Sequence, residues 1–357
     1  MKVLSMLFVT STLFLASVLS TDAEAKIAGK NIIFVHGLQT SHLLQARGTL
    51  TAAQRRTDAI EQAGIFAPKV DDYITYSSTE RLQGVIQQEV YNQVKQLETA
   101  GTCAQGCLLV TASTGDLVTR YMLSRLNAWN IDSSKFRVLG VVDMVGAGGG
   151  SELADVAVSA LTSGNFLSAI ARSAMTAWLG GDLSGSAPSF LGVLNDLRPS
   201  VARATATSNS SIPRVKIAGG GQIVALNLTG GFISGTDDGV VGLHSACGAR
   251  YKESIDSCSN SIRIDGRLAS ANGPSWGFYH NQFPILMAED MAHTQAATTE
   301  PVGRLVAMNK GINLGGVNIN PAERQFTTGR WFWKKTFRIV NYNESIPFAT
   351  YLVSQID

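Results

Sequence analysis

The first half of the chain alternates short apolar runs with longer amphipathic segments, and this alternation constrains the fold more than any other feature. Residues 31–35 (NIIFV) form an apolar run of strand length, which is typical of a strand buried on both faces of a parallel sheet. Between residues 79 and 100, apolar side chains recur at spacings of three and four, which predicts an amphipathic helix. The sequence therefore predicts an α/β fold with a doubly wound, mostly parallel sheet.

The remaining elements follow in the same alternating order. Further strands are predicted at 71–76, 107–110, 136–145, 215–218 and 222–228, and further helices at 45–64, 116–129 and 294–308. In sheets of this kind, reactive side chains gather beyond the carboxyl ends of the strands. We therefore expect the functional residues in the loops that follow these strands.

The alternation stops between residues 151 and 197, where large apolar side chains stand among Gly, Ser and Ala. This composition predicts short apolar helices joined by glycine turns. Two interpretations remain open, ordinary core helices or an inserted helical lid over an apolar pocket. We expect residues 26–310 to form one domain that includes this insertion. Residues 311–357 are expected to be a C-terminal extension packed on the same domain.

The N-terminus has the features of an export signal. It begins with a short positive end (MK), residues 3–20 are apolar apart from Ser and Thr, and residues 23–25 (AEA) place small side chains where a signal peptidase cleaves. A cleaved signal peptide over residues 1–25 and a secreted or periplasmic protein are expected. The alternative is an uncleaved membrane anchor, since the apolar run is nearly long enough to span a bilayer.

Charge excludes one class of partner. The chain has 29 basic and 27 acidic side chains, a net charge of +2. A protein that binds nucleic acid would concentrate basic side chains on one surface, so no nucleic-acid partner is predicted.

The four cysteines fall into two close pairs, Cys103 with Cys107 and Cys247 with Cys258. An even number of cysteines in an exported chain favours disulfides. A metal site would need all four to converge, or histidines at ligand spacing, and neither pattern is evident. Two disulfides that close short loops are therefore predicted.

Ser113 stands in the stretch 111–115 (TASTG), between a predicted strand and a predicted helix. A sharp strand-to-helix turn with small residues presents a serine hydroxyl at the sheet edge, an arrangement called a nucleophile elbow. The alternative is an ordinary Ser/Thr helix cap. A nucleophile of this kind also needs amide donors for an oxyanion, and we expect them from Thr114 at the helix N-terminus and from Leu38 after the first strand. His36 is expected to be a structural hydrogen-bonding residue.

The acid and the base should follow later strands. Asp237 and Asp238 lie in a glycine-bounded turn, and Asp-Gly alone is common in turns. With Ser113 upstream, the order nucleophile, acid, histidine favours Asp238 as the acid, while Asp237 should cap the turn. His293 follows an apolar run at a predicted strand-to-helix junction and is the preferred base. His280 is the first alternative, and His244, only six residues after the acid, is the second.

These segments, in this order, resemble the secreted bacterial true lipases, the triacylglycerol lipases of the α/β-hydrolase superfamily. The matching segments are 35–38 (VHGL), 110–121 (VTASTGDLVTRY), 146–155 (GAGGGSELAD), 238–241 (DGVV) and 291–293 (MAH). The resemblance implies the α/β-hydrolase fold with a lid, and an ester hydrolase with Ser113, Asp238 and His293 as its triad. The partners that the resemblance implies are a lipid or other ester substrate, met at a lipid–water interface, and a secretion chaperone. We expect a monomer.

The chain departs from the family pattern at four places. Thr111 and Asp116 replace glycines of the family elbow, and Asp116 could cap the helix or discourage an anionic substrate group. The Pro-His of the family stretch Gly-Thr/Ala-Pro-His-x-Gly-Ser is absent. The Asp that binds a structural calcium after the family histidine is also absent, and Thr294 and Gln295 stand there instead. No cofactor is therefore predicted, and a structural calcium stays an open alternative that the resemblance raises and the missing Asp argues against.

The residues predict acyl transfer to water, and the resemblance makes a lipase that cleaves acylglycerols the leading function. A short-chain esterase or an acyltransferase with the same site is one alternative, and a non-catalytic secreted binding protein of this fold is another. If residues 151–197 form a lid, several of its large apolar side chains should face Ser113 across the pocket. These are Phe166, Leu167, Ile170, Trp178 and Phe190.

Overall fold

A computed structural model of the chain describes residues 29–43, 50–162, 173, 175–176, 178–179, 191–205, 211–221, 230–249, 285–288, 290–301, 305–307, 312–319, 323–340 and 350. Several predictions concern residues outside these ranges. They are the signal peptide at 1–25, the strand at 222–228, Cys258, His280, and four of the five lid side chains, Phe166, Leu167, Ile170 and Phe190.

A seven-stranded sheet forms the centre of the described fold. Its strands are β1 (Asn31–Val35), β2 (Asp72–Ile74), β3 (Cys103–Ala112), β4 (Phe136–Met144), β5 (Arg214–Gly219), β6 (Ile285–Ala288) and β7 (Leu305–Ala307). Their spatial order is β2-β1-β3-β4-β5-β6-β7, and all neighbours pair in parallel except β7, which is antiparallel to β6. This confirms the predicted doubly wound sheet, and the strand order is that of the α/β-hydrolase fold.

Helices cover both faces of this sheet. The described ones are α1 (Thr40–Leu43), α2 (Ala52–Ala63), α3 (Gln87–Ala100), α4 (Thr114–Arg125), α5 (Glu152–Thr162), α6 (Gly192–Asp196), α7 (Pro199–Thr205) and α8 (Leu243–Ala246). Ile33 and Val35 of β1 pack into one buried cluster with α3, α4 and α5, while Ile32 and Phe34 pack into a second cluster with α2. Because successive strand residues point to opposite faces, this explains why β1 is a continuous apolar run. None of the described helices combines the length and hydrophobicity needed to cross a bilayer.

Two predicted helices differ from the structure. The helix predicted at 79–100 becomes regular only at Gln87, because a kinked turn at Leu82–Ile86 precedes it, with non-helical backbone at Gln83 and Gly84. The helix predicted at 294–308 is wrong. His293–Gln295 is a single 3₁₀ turn, and residues 305–307 form the edge strand β7. Pro301 lies inside the predicted helix, and its ring and missing N–H disfavour a helix interior.

The described part of residues 151–197 packs largely as core. Leu153 and Ala157 of α5 are buried in the main cluster, and so are Met175, Trp178 and Leu179. These contacts agree with the core interpretation for α5. Trp178 also borders the cavity at Ser113, which is described below.

Two hairpins follow the sheet in the C-terminal segment. They are β8 (Ile312–Leu314) with β9 (Val317–Ile319), and β10 (Glu323–Thr328) with β11 (Lys335–Val340). Leu314 is fully buried against Gly140 of β4, where an added Cβ would lie 2.7 Å from the Leu314 Cβ. β11 lies beside β7 at the sheet edge. Both hairpins therefore contact the central sheet.

Cys103 and Cys107 form the predicted disulfide at the start of β3. Cys247 is also disulfide-bonded. Its predicted partner, Cys258, lies outside the described residues.

Candidate active site

Ser113 occupies a sharp turn between β3 and α4. Its backbone angles, φ 51° and ψ −122°, are unusual for a residue with a side chain. The first strand and its loop press closely on this turn. A Cβ added at Gly115 would lie 2.3 Å from the Val35 carbonyl oxygen, and one added at Gly37 would lie 2.9 Å from the Ser113 Cβ. The Ser113 side chain makes no capping hydrogen bond to α4, so the helix-cap alternative is wrong.

The structure brings Ser113, His293 and Asp238 together. His293 Nε2 lies 2.8 Å from Ser113 Oγ, and His293 Nδ1 lies 2.8 Å from Asp238 Oδ2. The His293 amide also donates to the Asp238 carbonyl at 2.9 Å, which ties the two loops together. Because an ionised carboxylate only accepts, Nδ1 carries the ring proton and Nε2 is left to accept from the serine hydroxyl.

Backbone amides fix the Asp238 carboxylate. Its Oδ1 accepts from the amides of Val240 and Val241 at 3.0 and 2.7 Å, which leaves Oδ2 for His293. Asp237 points elsewhere, and its Oδ1 accepts from the Gly239 amide at 2.8 Å. The prediction that Asp237 caps this turn is confirmed.

His244, the second alternative base, does not reach Ser113. It is buried, and its Nε2 lies 2.8 Å from Glu152 Oε1 of α5. The first alternative, His280, lies outside the described residues.

Leu38 and Thr114 border the same cavity as Ser113. Thr114 is the first residue of α4, and amides of a first helical turn have no acceptor within their own helix. The loop that carries Leu38 is held by Gln62 of α2, which accepts from the Gly37 amide at 2.8 Å and donates to the Leu38 carbonyl at 3.3 Å. No sequence pattern identifies Gln62, because it is one of several polar residues on a predicted helix.

His36 is the structural residue that the sequence predicts. Its ring stacks on Tyr76 with centroids 4.1 Å apart, Nδ1 donates to the Gly37 carbonyl at 2.6 Å, and Nε2 accepts from the Tyr76 amide at 3.0 Å. Tyr76 Oη donates to the His36 carbonyl at 2.9 Å. Burial lowers the pKa of His36 to about 4, although its bond to the Gly37 carbonyl opposes the shift. The ring is therefore neutral at pH 7.

Asp116 has neither of the roles considered for it from the sequence. It is fully buried, accepts from Arg120 Nε at 3.0 Å and from the Gly148 amide at 3.1 Å, and forms a short ion pair with Arg214. Burial raises the pKa of Asp116, but Arg120, Lys216 and Arg214 lower it by more, so the carboxylate stays ionised. It neither caps α4 nor faces a substrate.

Thr111, the other departure from the family elbow, contacts a second buried ion pair. Lys216 Nζ lies 2.8 Å from Asp143 Oδ2 and donates to the Ala246 carbonyl at 2.9 Å. The Thr111 hydroxyl donates to Asp143 Oδ1 at 3.0 Å. Burial and the charge of Asp116 raise the pKa of Asp143, against the effect of Lys216. A hydroxyl at position 111 thus supplies a hydrogen bond that glycine could not.

A cavity of about 710 Å³ opens at Ser113. Most of the larger side chains around it are apolar, and the main ones are Leu38, Ile65, Met144, Trp178, Leu197 and Val241. Trp178 is the one member of the five predicted lid side chains within the described residues, and it does border this cavity.

The family calcium site is not reproduced by the residues after His293. Gln295 Oε1 accepts from the Ala292 amide at 2.8 Å, and its Nε2 donates to Glu300 at 2.6 Å, so no carboxylate is offered at that position. Across the described ranges, no three His, Cys, Asp or Glu side chains are grouped to hold a metal ion.

Comparisons with known proteins give structural matches only. No protein-family model and no curated protein sequence matches the chain. The solved structure of lipase BlEst2 from Bacillus licheniformis, in mature form, is similar over 64% of this chain and 82% of that one, with 19% identity and a TM-score of 0.39. Phospholipase PlaB from Legionella pneumophila is similar over 61% of this chain, with 16% identity and a TM-score of 0.33. The chain covers only 45% of that phospholipase.

The bond between Thr111 and Asp143 can be tested with two matched substitutions. Thr111→Val removes a buried hydroxyl that donates to a carboxylate, so we expect the free energy of unfolding to fall by about 1.5–3 kcal/mol. Thr119→Val removes an equally buried hydroxyl that has no hydrogen-bond partner among the described residues, so stability should stay the same or rise. Urea unfolding followed by circular dichroism measures both. Equal losses in the two variants would contradict this account of position 111.

His36 should make folding stability depend on pH. Its pKa is about 4 in the folded protein against an ordinary 6.5, so between these values the unfolded chain binds a proton that the folded protein does not. The contribution of His36 to the free energy of unfolding is therefore fully present above pH 6.5. It decreases by about 3 kcal/mol as the pH falls to 4.

His36→Gln lacks this ionisation. The unfolding free energy of the wild type minus that of His36→Gln should shrink by about 3 kcal/mol from pH 7 to pH 4, measured by urea titration at each pH. A difference that stays constant over that range would show that His36 is not held neutral by burial.

Proposed function

We propose that the protein is a serine hydrolase that cleaves carboxylic esters, with Ser113 as nucleophile, His293 as general base and Asp238 as the acid of the triad. One observation carries the proposal, the continuous chain of two 2.8 Å contacts from Ser113 Oγ through His293 to Asp238 Oδ2. Nucleophile, base and orienting acid are in hydrogen-bond reach of each other, which is the geometry that activates a hydroxyl.

The first step forms an acyl-enzyme. Ser113 Oγ attacks the ester carbonyl carbon while His293 Nε2 takes the hydroxyl proton, and Asp238 stabilises the imidazolium that results. The tetrahedral intermediate collapses, its bond to the alcohol oxygen breaks, and His293 returns the proton to the leaving alcohol. In the second step, water loses a proton to His293 and attacks the acyl carbon. The bond between the acyl carbon and Ser113 Oγ then breaks, His293 returns the proton to Oγ, and the carboxylic acid leaves.

The charge that develops on the carbonyl oxygen needs donors. The amides of Leu38 and Thr114 are the proposed pair, because both residues border the cavity beside Ser113 and Thr114 begins α4. Gln62 and His36 are positioning residues in this scheme. Gln62 accepts from the Gly37 amide and His36 donates to the Gly37 carbonyl, which belongs to the same peptide group as the Leu38 amide.

The substrate class follows from the shape and lining of the cavity. A volume of about 710 Å³ lined by large apolar side chains fits an acyl chain. We therefore favour lipid esters, as the true-lipase resemblance implies, with Trp178 contacting the acyl chain.

Export is part of the proposal. The Cys103–Cys107 disulfide supports it, because disulfides persist in oxidising compartments outside the cytosol. The predicted signal peptide, the monomeric state and the use of a secretion chaperone stay predictions.

Replacing the nucleophile tests the reaction. Ser113→Ala should reduce hydrolysis of p-nitrophenyl butyrate at least about 1,000-fold, because the covalent route is lost while the fold is kept. It should also abolish labelling by a fluorophosphonate. Ser124→Ala, on the exposed part of the same helix, is the matched control and should keep full activity. A Ser113→Ala protein with more than about a tenth of wild-type activity would contradict the proposal.

Acyl-chain length tests the substrate class. The kcat/KM for p-nitrophenyl octanoate should exceed that for the acetate at least tenfold, because each buried methylene contributes about 0.8 kcal/mol. Trp178→Ala should reduce this ratio. The control is Trp129→Ala, which should leave the ratio unchanged because Trp129 packs on Tyr91 and does not line the cavity. Preference for acetate in the wild type would favour a short-chain esterase instead.

A further inference from the structure

Three consecutive aromatic side chains project from the turn between β10 and β11. Trp331, Phe332 and Trp333, called here the aromatic tip, are 81%, 93% and 79% exposed. The other exposed large apolar side chains of the described residues, Ile60 and Val85, are 43% and 45% exposed and stand singly. Single exposed apolar residues are ordinary, but a contiguous exposed group marks a site of interaction.

The turn that carries the aromatic tip is well defined. Gly329 has φ +86°, and a Cβ there would lie 2.3 Å from the Trp333 carbonyl oxygen. The Trp333 amide donates to the Arg330 carbonyl at 3.1 Å, and Trp331 itself has a positive φ of 53°. A side-chain-bearing residue in this region is uncommon and is retained where surrounding structure requires it. The hairpin thus holds the aromatic rings outward.

The hairpin is also strongly basic. From Glu323 to Val340 the hairpin contains five Arg or Lys and one acidic residue, Glu323 itself, although the whole chain is almost neutral. Arg330 and Lys334, which directly flank the aromatic tip, are both exposed. Aromatic and basic side chains together are typical of protein segments that bind a lipid–water interface. Trp rings prefer the level of the lipid headgroups, and basic side chains attract anionic lipids.

We propose that the aromatic tip inserts into the headgroup region of an anionic lipid surface, with Arg330 and Lys334 against the lipid phosphates. A lipid surface fits better than a protein partner, because a stable protein interface buries about 800 Å² on each side and a three-residue tip offers less. This binding does not depend on Ser113 chemistry. It can hold whether or not the proposed hydrolase activity does.

The test measures vesicle binding by co-sedimentation. It uses the full chain with Ser113→Ala, so that no lipid is consumed. Vesicles of phosphatidylcholine alone are compared with vesicles of equal parts phosphatidylcholine and phosphatidylglycerol. We expect tighter binding to the anionic vesicles, and binding that weakens as salt is added.

Two sets of substitutions separate the contribution of the aromatic side chains from that of the two flanking charges. Replacing all three tip aromatics with Ser should weaken binding to anionic vesicles at least tenfold. Phe332→Ser alone, at the most exposed position, should weaken it measurably and disturbs the turn least. Arg330→Gln with Lys334→Gln should weaken binding to anionic vesicles about fivefold per charge and leave binding to neutral vesicles unchanged.

Matched controls sit elsewhere on the surface. Val85→Ser removes an exposed apolar side chain, and Lys135→Gln with Arg137→Gln removes two exposed charges; none of these should change binding. When Ser113 is left intact, the tip variants should hydrolyse p-nitrophenyl butyrate as fast as the wild type. This result separates lipid binding from the proposed reaction.

The outcomes decide the proposal. Wild-type binding that the tip variants lose and the controls keep supports it. Tip variants that bind like the wild type, or a wild type that binds neither vesicle, overturn it. A wild type that ignores vesicles but self-associates through the tip, seen as a tip-dependent change in mass by light scattering, would assign the surface to a protein contact instead.

Discussion

Five charged side chains are buried together beneath the turn that carries Ser113, and the central part of the fold is built around them. Asp116 and Arg120 come from α4, Asp143 from β4, and Arg214 and Lys216 from β5. Buried ions are tolerated only when each is paired and hydrogen-bonded, and removing one partner leaves an unpaired charge. The three elements therefore have to keep one relative position. That position also fixes the first turn of α4 and the end of β3, which together hold Ser113.

The contacts of His293 with Ser113 and Asp238 arise from loops that meet at one edge of the sheet. Ser113 follows β3, Asp238 follows β5 and His293 follows β6, and parallel strands place their carboxyl ends at the same edge. The unfavourable backbone angles of Ser113 persist because the β1 loop closes over the turn, where Gly37 and Gly115 leave room for it. Strand order thus brings the three loops together, and close glycine packing sets the direction of the serine hydroxyl.

Sequence patterns predicted those features of the fold that depend on local periodicity and on the order of elements along the chain. The buried strand β1, the parallel sheet and the turn at Ser113 all carry such patterns. The charge cluster does not, because Asp116 pairs with Arg214 across 98 positions and no spacing rule links them. The helix predicted at 294–308 does not form, because Pro301 disfavours a helix interior and residues 305–307 pair with β6 instead. Gln62 could not be found, since its role exists only where α2 meets the β1 loop.

Three of the four departures from the true-lipase pattern, Thr111, Asp116 and the missing Pro-His, meet at one buried charge cluster. In the stretch that resembles Gly-Thr/Ala-Pro-His, Gly148 stands at the proline position, and its amide donates to Asp116 at 3.1 Å, a bond that proline cannot make. A Cβ at Gly148 would lie 2.2 Å from Arg120 Nε, so the ion pair also excludes any larger residue there. Thr111 meets the same cluster through Asp143. The glycine at 148 follows from the need of Asp116 and Arg120 for a donor and for space, while the hydroxyl at 111 bonds the neighbouring carboxylate of Asp143. The chain can therefore keep the geometry of the elbow while departing from the residues by which that elbow is usually recognised.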